Sequence, residues 1–182
     1  MNNYSPVASG GNIAGAASTR TFLQQAVDHY PRLAAFSFTL KLPYREIMNE
    51  YRSLILRFHT EVWQRISEYS EQRQKERRNS PPTILRWMWE SVSAPDCKMV
   101  LLMNLDTLGA WRDEVVRQEM SGLLREAWRT VIHADNNVTS MLSFTISRTK
   151  GCSFALSFSQ LQTRVNEMIS PVMVARTGVV CP

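Results

Sequence analysis

Leu85-Arg86-Trp87-Met88-Trp89-Glu90 and Lys98-Met99-Val100-Leu101-Leu102-Met103 are two strand-like runs a short gap apart, and their pairing decides the fold. Every residue from Met99 to Met103 is apolar, as suits a strand buried on both faces. Asn104 and Asp106 close that run, and Ser91-Val92-Ser93-Ala94-Pro95 joins the two strands into a hairpin.

Upstream, Arg32 to Lys41 is also strand-like: Ala34, Phe36, Phe38 and Leu40 alternate with Leu33, Ala35, Ser37 and Thr39. Beyond Pro43, Ile47, Tyr51, Leu54, Ile55, Phe58, Val62, Ile66 and Tyr69 recur at three- and four-residue steps, the stripe of a long helix. Its continuation, Glu71 to Arg78, keeps helix formers but loses the stripe, so it should project from the core. Asn79-Ser80-Pro81-Pro82 stops it, because proline has no amide to donate and biases its predecessor to extended geometry. Downstream, a turn at Leu108-Gly109-Ala110 leads to a second striped helix through Val116, Met120, Leu123, Leu124, Ala127, Trp128 and Val131. Met141 to Ser147 and Ser153 to Ser159 read as a hairpin about Thr149-Lys150-Gly151. Leu161, Val165, Met168 and Ile169 read as a short last helix ended by Pro171, and Thr21 to Tyr30 as a short first one. The expected fold class is α+β: an antiparallel sheet with helices mainly on one face, in split βαβ or ferredoxin-like order. Residues 1–20, rich in Asn, Ser, Gly and Ala, are expected to be a flexible tail rather than a signal peptide, and 21–182 one domain.

The 182 residues suffice for one domain with a sizeable core, and five tryptophans argue against disorder. Cys97, Cys152 and Cys181 are odd in number, form no CxxC pair and show no zinc spacing. A reduced, cytoplasmic protein without metal or cofactor is expected. No apolar run is long enough to span a membrane. The formal net charge of +5 suits a polyanionic partner, although many proteins carry such a surplus with no nucleic-acid role.

Strand order and local motifs resemble the YagK/YfjJ family, inovirus-type replication proteins of phages and integrated elements related to rolling-circle initiators of the HUH class. The motifs are the proline-preceded strand after Tyr30-Pro31-Arg32, the aromatic-x-x-Glu of Trp87-Met88-Trp89-Glu90, the apolar run ending in Asn104, and Ala127-Trp128. Each is short, and together they span about Tyr30 to Arg176. Members that keep the signature place His-hydrophobe-His before the apolar run, two ligands on one strand face for a divalent cation. A tyrosine then attacks the phosphate that the cation polarises. Here the matching positions are Asp96 and Lys98, and Met173-Val174-Ala175-Arg176 matches the segment carrying the nucleophile, with Met173 in the tyrosine's place. No tyrosine follows Tyr69. The resemblance therefore implies a catalytically degenerate member, not an enzyme, working in a bacterial host cell.

Binding, on this reading, falls to cations. Lys98 in a metal's place would neutralise a phosphate without cleaving it; otherwise it is a solvated strand start. Arg86 lies on the tryptophan strand. Arg73, Lys75, Arg77 and Arg78 would grip a phosphate backbone, or else complement the C-terminal dipole of a solvated helix end. Arg148 and Lys150 sit in the expected hairpin turn, a common place for two cations in any protein. Trp87 and Trp89 share a strand face: exposed they would stack on bases, and buried, the reading preferred, they are core. Trp63, Trp111 and Trp128 read as packing residues. Glu90, Asp106 and Asp113 are read as solvated carboxylates. The expected function is a non-catalytic DNA-binding regulator of replication or transcription from a mobile element, taking single-stranded, hairpin or duplex DNA. The alternative is a protein-interaction module that inhibits or adapts a host or rival-phage protein.

Overall fold

The computed structural model describes residues 10–43, 48–90, 96–109, 113–134, 138–148 and 151–177. Five strands, β1 (Arg32–Lys41), β2 (Leu85–Trp89), β3 (Asp96–Asn104), β4 (Val138–Ser147) and β5 (Val172–Arg176), make one sheet in the order β4-β1-β3-β2-β5. All four pairings are antiparallel. The apolar run of β3 lies at the centre, with Leu101 opposite both Phe36 of β1 and Trp87 of β2. Strands β1 and β2 flank it and are joined through helix α2 (Met48–Lys75), while helix α4 (Asp113–Ile132) leads into β4. That is the expected split βαβ order, extended by β5 along the outer edge of β2.

The alternation read in β1 is real, but both of its sides are apolar, so each needs a cover. Ala34, Phe36, Phe38 and Leu40 pack with Trp87, Trp89 and Leu101 against Phe58, Val62, Leu124 and Trp128 of α2 and α4. Leu33 and Ala35 pack with Met88, Val100 and Leu102 against Leu23 and Val27 of α1 (Gly10–His29) and Leu161 and Val165 of α5 (Gly151–Asn166). Helices therefore cover both faces, correcting the expectation of one. A single-turn helix, α3 (Leu105–Leu108), starts where the Asn104 side chain accepts the Asp106 amide at 3.1 Å. It ends at Gly109, whose φ of +62° is the left-handed conformation glycine tolerates best.

Two further expectations are corrected. The second hairpin does not form: β4 is a strand, but Ser153 to Ser159 belongs to α5. Phe154 and Phe158, four apart, stack with centroids 5.9 Å apart, and Leu161 and Val165 continue their stripe. Serines interleaved with these aromatics imitated a period of two. Of the expected short last helix, Leu161 and Val165 belong to the end of α5, while Met168 and Ile169 lie past its last residue, Asn166. Helix α1 starts at Gly10, so half of the segment expected as tail is helical. Its buried Leu23, Ala26 and Val27 anchor it to the sheet.

Candidate functional site

On the α1/α5 side, helix packing buries Leu33, Ala35, Val100 and Leu102 on the inner half of this sheet face. Beyond Ala35 and Val100, the same face continues outward as Ser37, Thr39 and Lys41 on β1 and as Lys98 and Asp96 on β3. The register sets Thr39 opposite Lys98 and Lys41 opposite Asp96. Asp96, Lys98 and Lys41 are exposed, whereas Cys97 between the first two is buried on the opposite face. Glu90 continues β2 here: its amide donates to the Lys98 carbonyl at 3.1 Å, and its carboxylate lies 4.0 Å from Lys98 Nζ. The Lys98 side chain is half exposed, so this ion pair contributes at most ~1 kcal/mol and yields readily to a phosphate. Met173 shares the face one step toward the inner half, opposite Met88, and is partly buried. It stands on the edge strand β5.

The structure divides the other expected cations. A ten-residue strand spans roughly 30 Å. Lys41 and Lys98 lie at one end of β1 and β3; the C-terminus of α2 and Arg148 lie by the other, where the Arg148 amide bonds Pro31. Lys75, Arg77 and Arg78 are exposed there, and Arg78 pairs with Glu76 at 3.4 Å. Arg73 is partly buried instead. Its guanidinium donates to the Asn79 carbonyl at 3.1 Å, lies 5.8 Å from the Tyr69 ring centroid and fills the space a β-carbon at Gly109 would need. Arg86 is only 8% exposed, which removes it from any DNA surface. Nη2 donates to His29 Nδ1 at 2.7 Å and the guanidinium packs over Tyr30, so this cation joins α1 to the sheet. Lys150 lies outside the described residues, as does Trp111. Glu90 and Asp106 sit at opposite ends of the sheet, and Asp106 pairs with Arg32, so they form no acidic site. Among the described residues no three His, Cys, Asp or Glu side chains gather to hold a metal.

Trp87 and Trp89 are core beneath α2, as is Trp128, while Trp63 is partly buried against the same cluster. His59 of α2 is buried among them. It stacks on Trp87 with centroids 4.0 Å apart and accepts the Arg176 Nε–H at Nδ1, 3.1 Å away. Burial, then the Arg176 charge, hold its pKa well below 6.5. The Cys97 thiol is pushed up to about 12 by burial and by the Glu90 charge, so it is no activated nucleophile.

Reading the sequence for cations missed Lys41, Thr39 and Ser37. Their alternation with Phe38 and Leu40 put them on one face, but only the β1–β3 register brings them beside Lys98 and Asp96.

A family model described as uncharacterised conserved protein UCP030791 matches residues 9–144, which take in α1 through most of β4 and leave out α5 and β5. Searches of curated proteins and of solved structures returned no match. No helix among the described residues is long and apolar enough to cross a membrane.

Proposed function

We propose that this chain, which belongs to the UCP030791 family, is a non-catalytic nucleic-acid-binding protein of a phage or integrated mobile element. It regulates replication or transcription by holding DNA without cutting it. The observation that carries this reading is the row of exposed residues at the outer end of the α1/α5 face of the sheet. There Lys98 on the central strand and Lys41 on its neighbour present two ammonium groups beside the Thr39 hydroxyl. Lysine and hydroxyl side chains are phosphate-contacting groups, and two cations on a sheet face position a backbone without reading bases. The basic end of α2 adds long-range attraction from the far end of the sheet.

A mobility-shift titration over a salt series tests it, with single-stranded, hairpin and duplex DNA. The double variant Lys41→Glu, Lys98→Glu is expected to bind roughly tenfold or more weakly and to flatten the salt dependence by about two phosphate contacts. Reversal of Lys75, Arg77 and Arg78 is expected to weaken binding less. Salt-insensitive binding, no binding at micromolar protein, or loss of binding only on the second set of reversals would sink the proposal.

The protein-interaction reading draws on the Glu90 end of the sheet, where Ile169 is 73% exposed and its amide lies 3.4 Å from the Glu90 carboxylate. Co-purification of one stoichiometric protein partner, free of nucleic acid, would favour it.

A further inference from the structure

The two edges of the sheet are built differently. Strand β5 is short, follows Pro171 and turns the Arg176 guanidinium inward to His59, and each of these features keeps an edge from pairing with another chain. Strand β4 spans ten residues, Val138 to Ser147, with neither a charge nor a proline. Among the described residues no strand lies on its outer side.

Exposure along β4 is uneven. Val138, Ile146 and Ser147 are buried at its ends, whereas Ser140 is exposed and Met141 to Thr145 are part-exposed. Met141 packs against the α2/α4 core and Phe144 against the α1/α5 core, so packing on both faces still leaves this stretch open to solvent. Leu142 is packed into neither core. A bulge at Ser140, whose φ is +55°, shifts the register against β1 and leaves Met141 to Thr145 as the regular part of the open stretch.

We propose that a second copy of this chain pairs antiparallel along this edge, about a twofold axis at Ser143. The N–H and C=O groups along an open strand edge are satisfied in a row by another extended backbone. This stretch complements itself. Leu142 meets Phe144 of the partner subunit on the α1/α5 face, Ser143 meets its own counterpart, and no like charges oppose each other. The axis stands perpendicular to the sheet, so the Lys41–Lys98 ends of both copies fall on one face. At ~3.4 Å per residue and ~4.8 Å between strands, those ends lie roughly 30–35 Å apart. That is about one turn of duplex DNA, the spacing at which a twofold dimer meets two half-sites. This match rests on the DNA-binding reading, and it selects a second copy over an unrelated strand. Five paired residues bury a small area, so the dimer is expected at micromolar concentration or above.

Sedimentation of the full chain from ~1 to ~500 µM is expected to show the average mass rising from one chain toward two. Ser143→Lys sets two cations face to face across the axis and should raise the midpoint of association about tenfold or more. Ser143→Cys should give a disulfide-linked dimer on mild oxidation that the wild-type chain, with its own three cysteines, does not give. Thr139→Cys should not, because position 139 then lies opposite position 147 of the partner subunit. A chain that stays monomeric throughout, association untouched by Ser143→Lys, or equal cross-linking at positions 139 and 143 would overturn the proposal. A cross-linked Ser143→Cys dimer that binds no DNA would remove the DNA-binding reading and leave the dimer standing.

Discussion

Trp87→Ala is expected to lower the unfolding free energy by about 3–5 kcal/mol, read as a fall in urea midpoint at unchanged slope. Trp87 is fully buried at the centre of the α2/α4 core. His59 stacks on one face of its indole, and the Phe58 ring meets it edge-on with centroids 5.8 Å apart. Phe58 in turn meets Trp128 edge-on at 5.6 Å, so alanine at position 87 leaves a void that this aromatic cluster cannot close by a small shift. The indole Nε1–H has no hydrogen-bond partner among the described residues, so Trp87→Phe should restore most of the loss: it keeps a ring and surrenders no such bond. A cost below ~1 kcal/mol for Trp87→Ala would instead mean the residue is not core, and base stacking would return as its role.

Acid should destabilise the protein through His59. The Arg176 bond to Nδ1 fixes the neutral tautomer, which leaves its proton on Nε2, buried without a partner among the described residues. Protonating the ring would place a second cation beside Arg176 in an apolar site. The folded pKa is therefore depressed, chiefly by burial, while the unfolded chain titrates near 6.5. Below that pH the unfolded state binds the proton that the folded state refuses, so stability falls as pH drops through about 6.5 and continues to fall toward the folded pKa. Above it the contribution is complete and flat. Denaturation midpoints measured between neutral pH and pH 5 should slope downward, and His59→Phe should flatten that slope relative to the wild type. An identical slope in the variant would place the acid sensitivity elsewhere.

Much of the sheet was legible because its signals are local. The span of β1 follows from its alternation and flanking proline, and the stripes of α2 and α4 appear in the residues that pack on Trp87 and Trp128. α5 was misread because small residues (Ser153, Ala155, Ser157, Ser159) alternating with Phe154, Leu156 and Phe158 satisfy a two-residue period over seven positions. Only Leu161 and Val165 extend the helical one, and they had been assigned to a separate element. Helical cover on both faces was implicit in Leu33 and Ala35 but outweighed by the sequence order of the elements. Arg86 shows the limit most directly, since nothing in its neighbours along the chain distinguishes a cation that faces solvent from one that reaches back to His29.

The candidate interface divides in the same manner. That Asp96 and Lys98 share a strand face is fixed by the two-residue period of a strand and could be read from spacing alone. Which residues stand beside them was decided by the tertiary structure. Strand register is a long-range property, set by how β1 and β3 align when their apolar faces are buried together, and it alone brings Lys41 and Thr39 to the end of β3. Tertiary structure also decided what covers the face, because α1 and α5 lie far apart in the chain and come together over Leu33, Ala35, Val100 and Leu102. Local periodicity thus determined the elements and the sides of their residues; burial of those sides against distant segments determined which charges meet and which surface stays free.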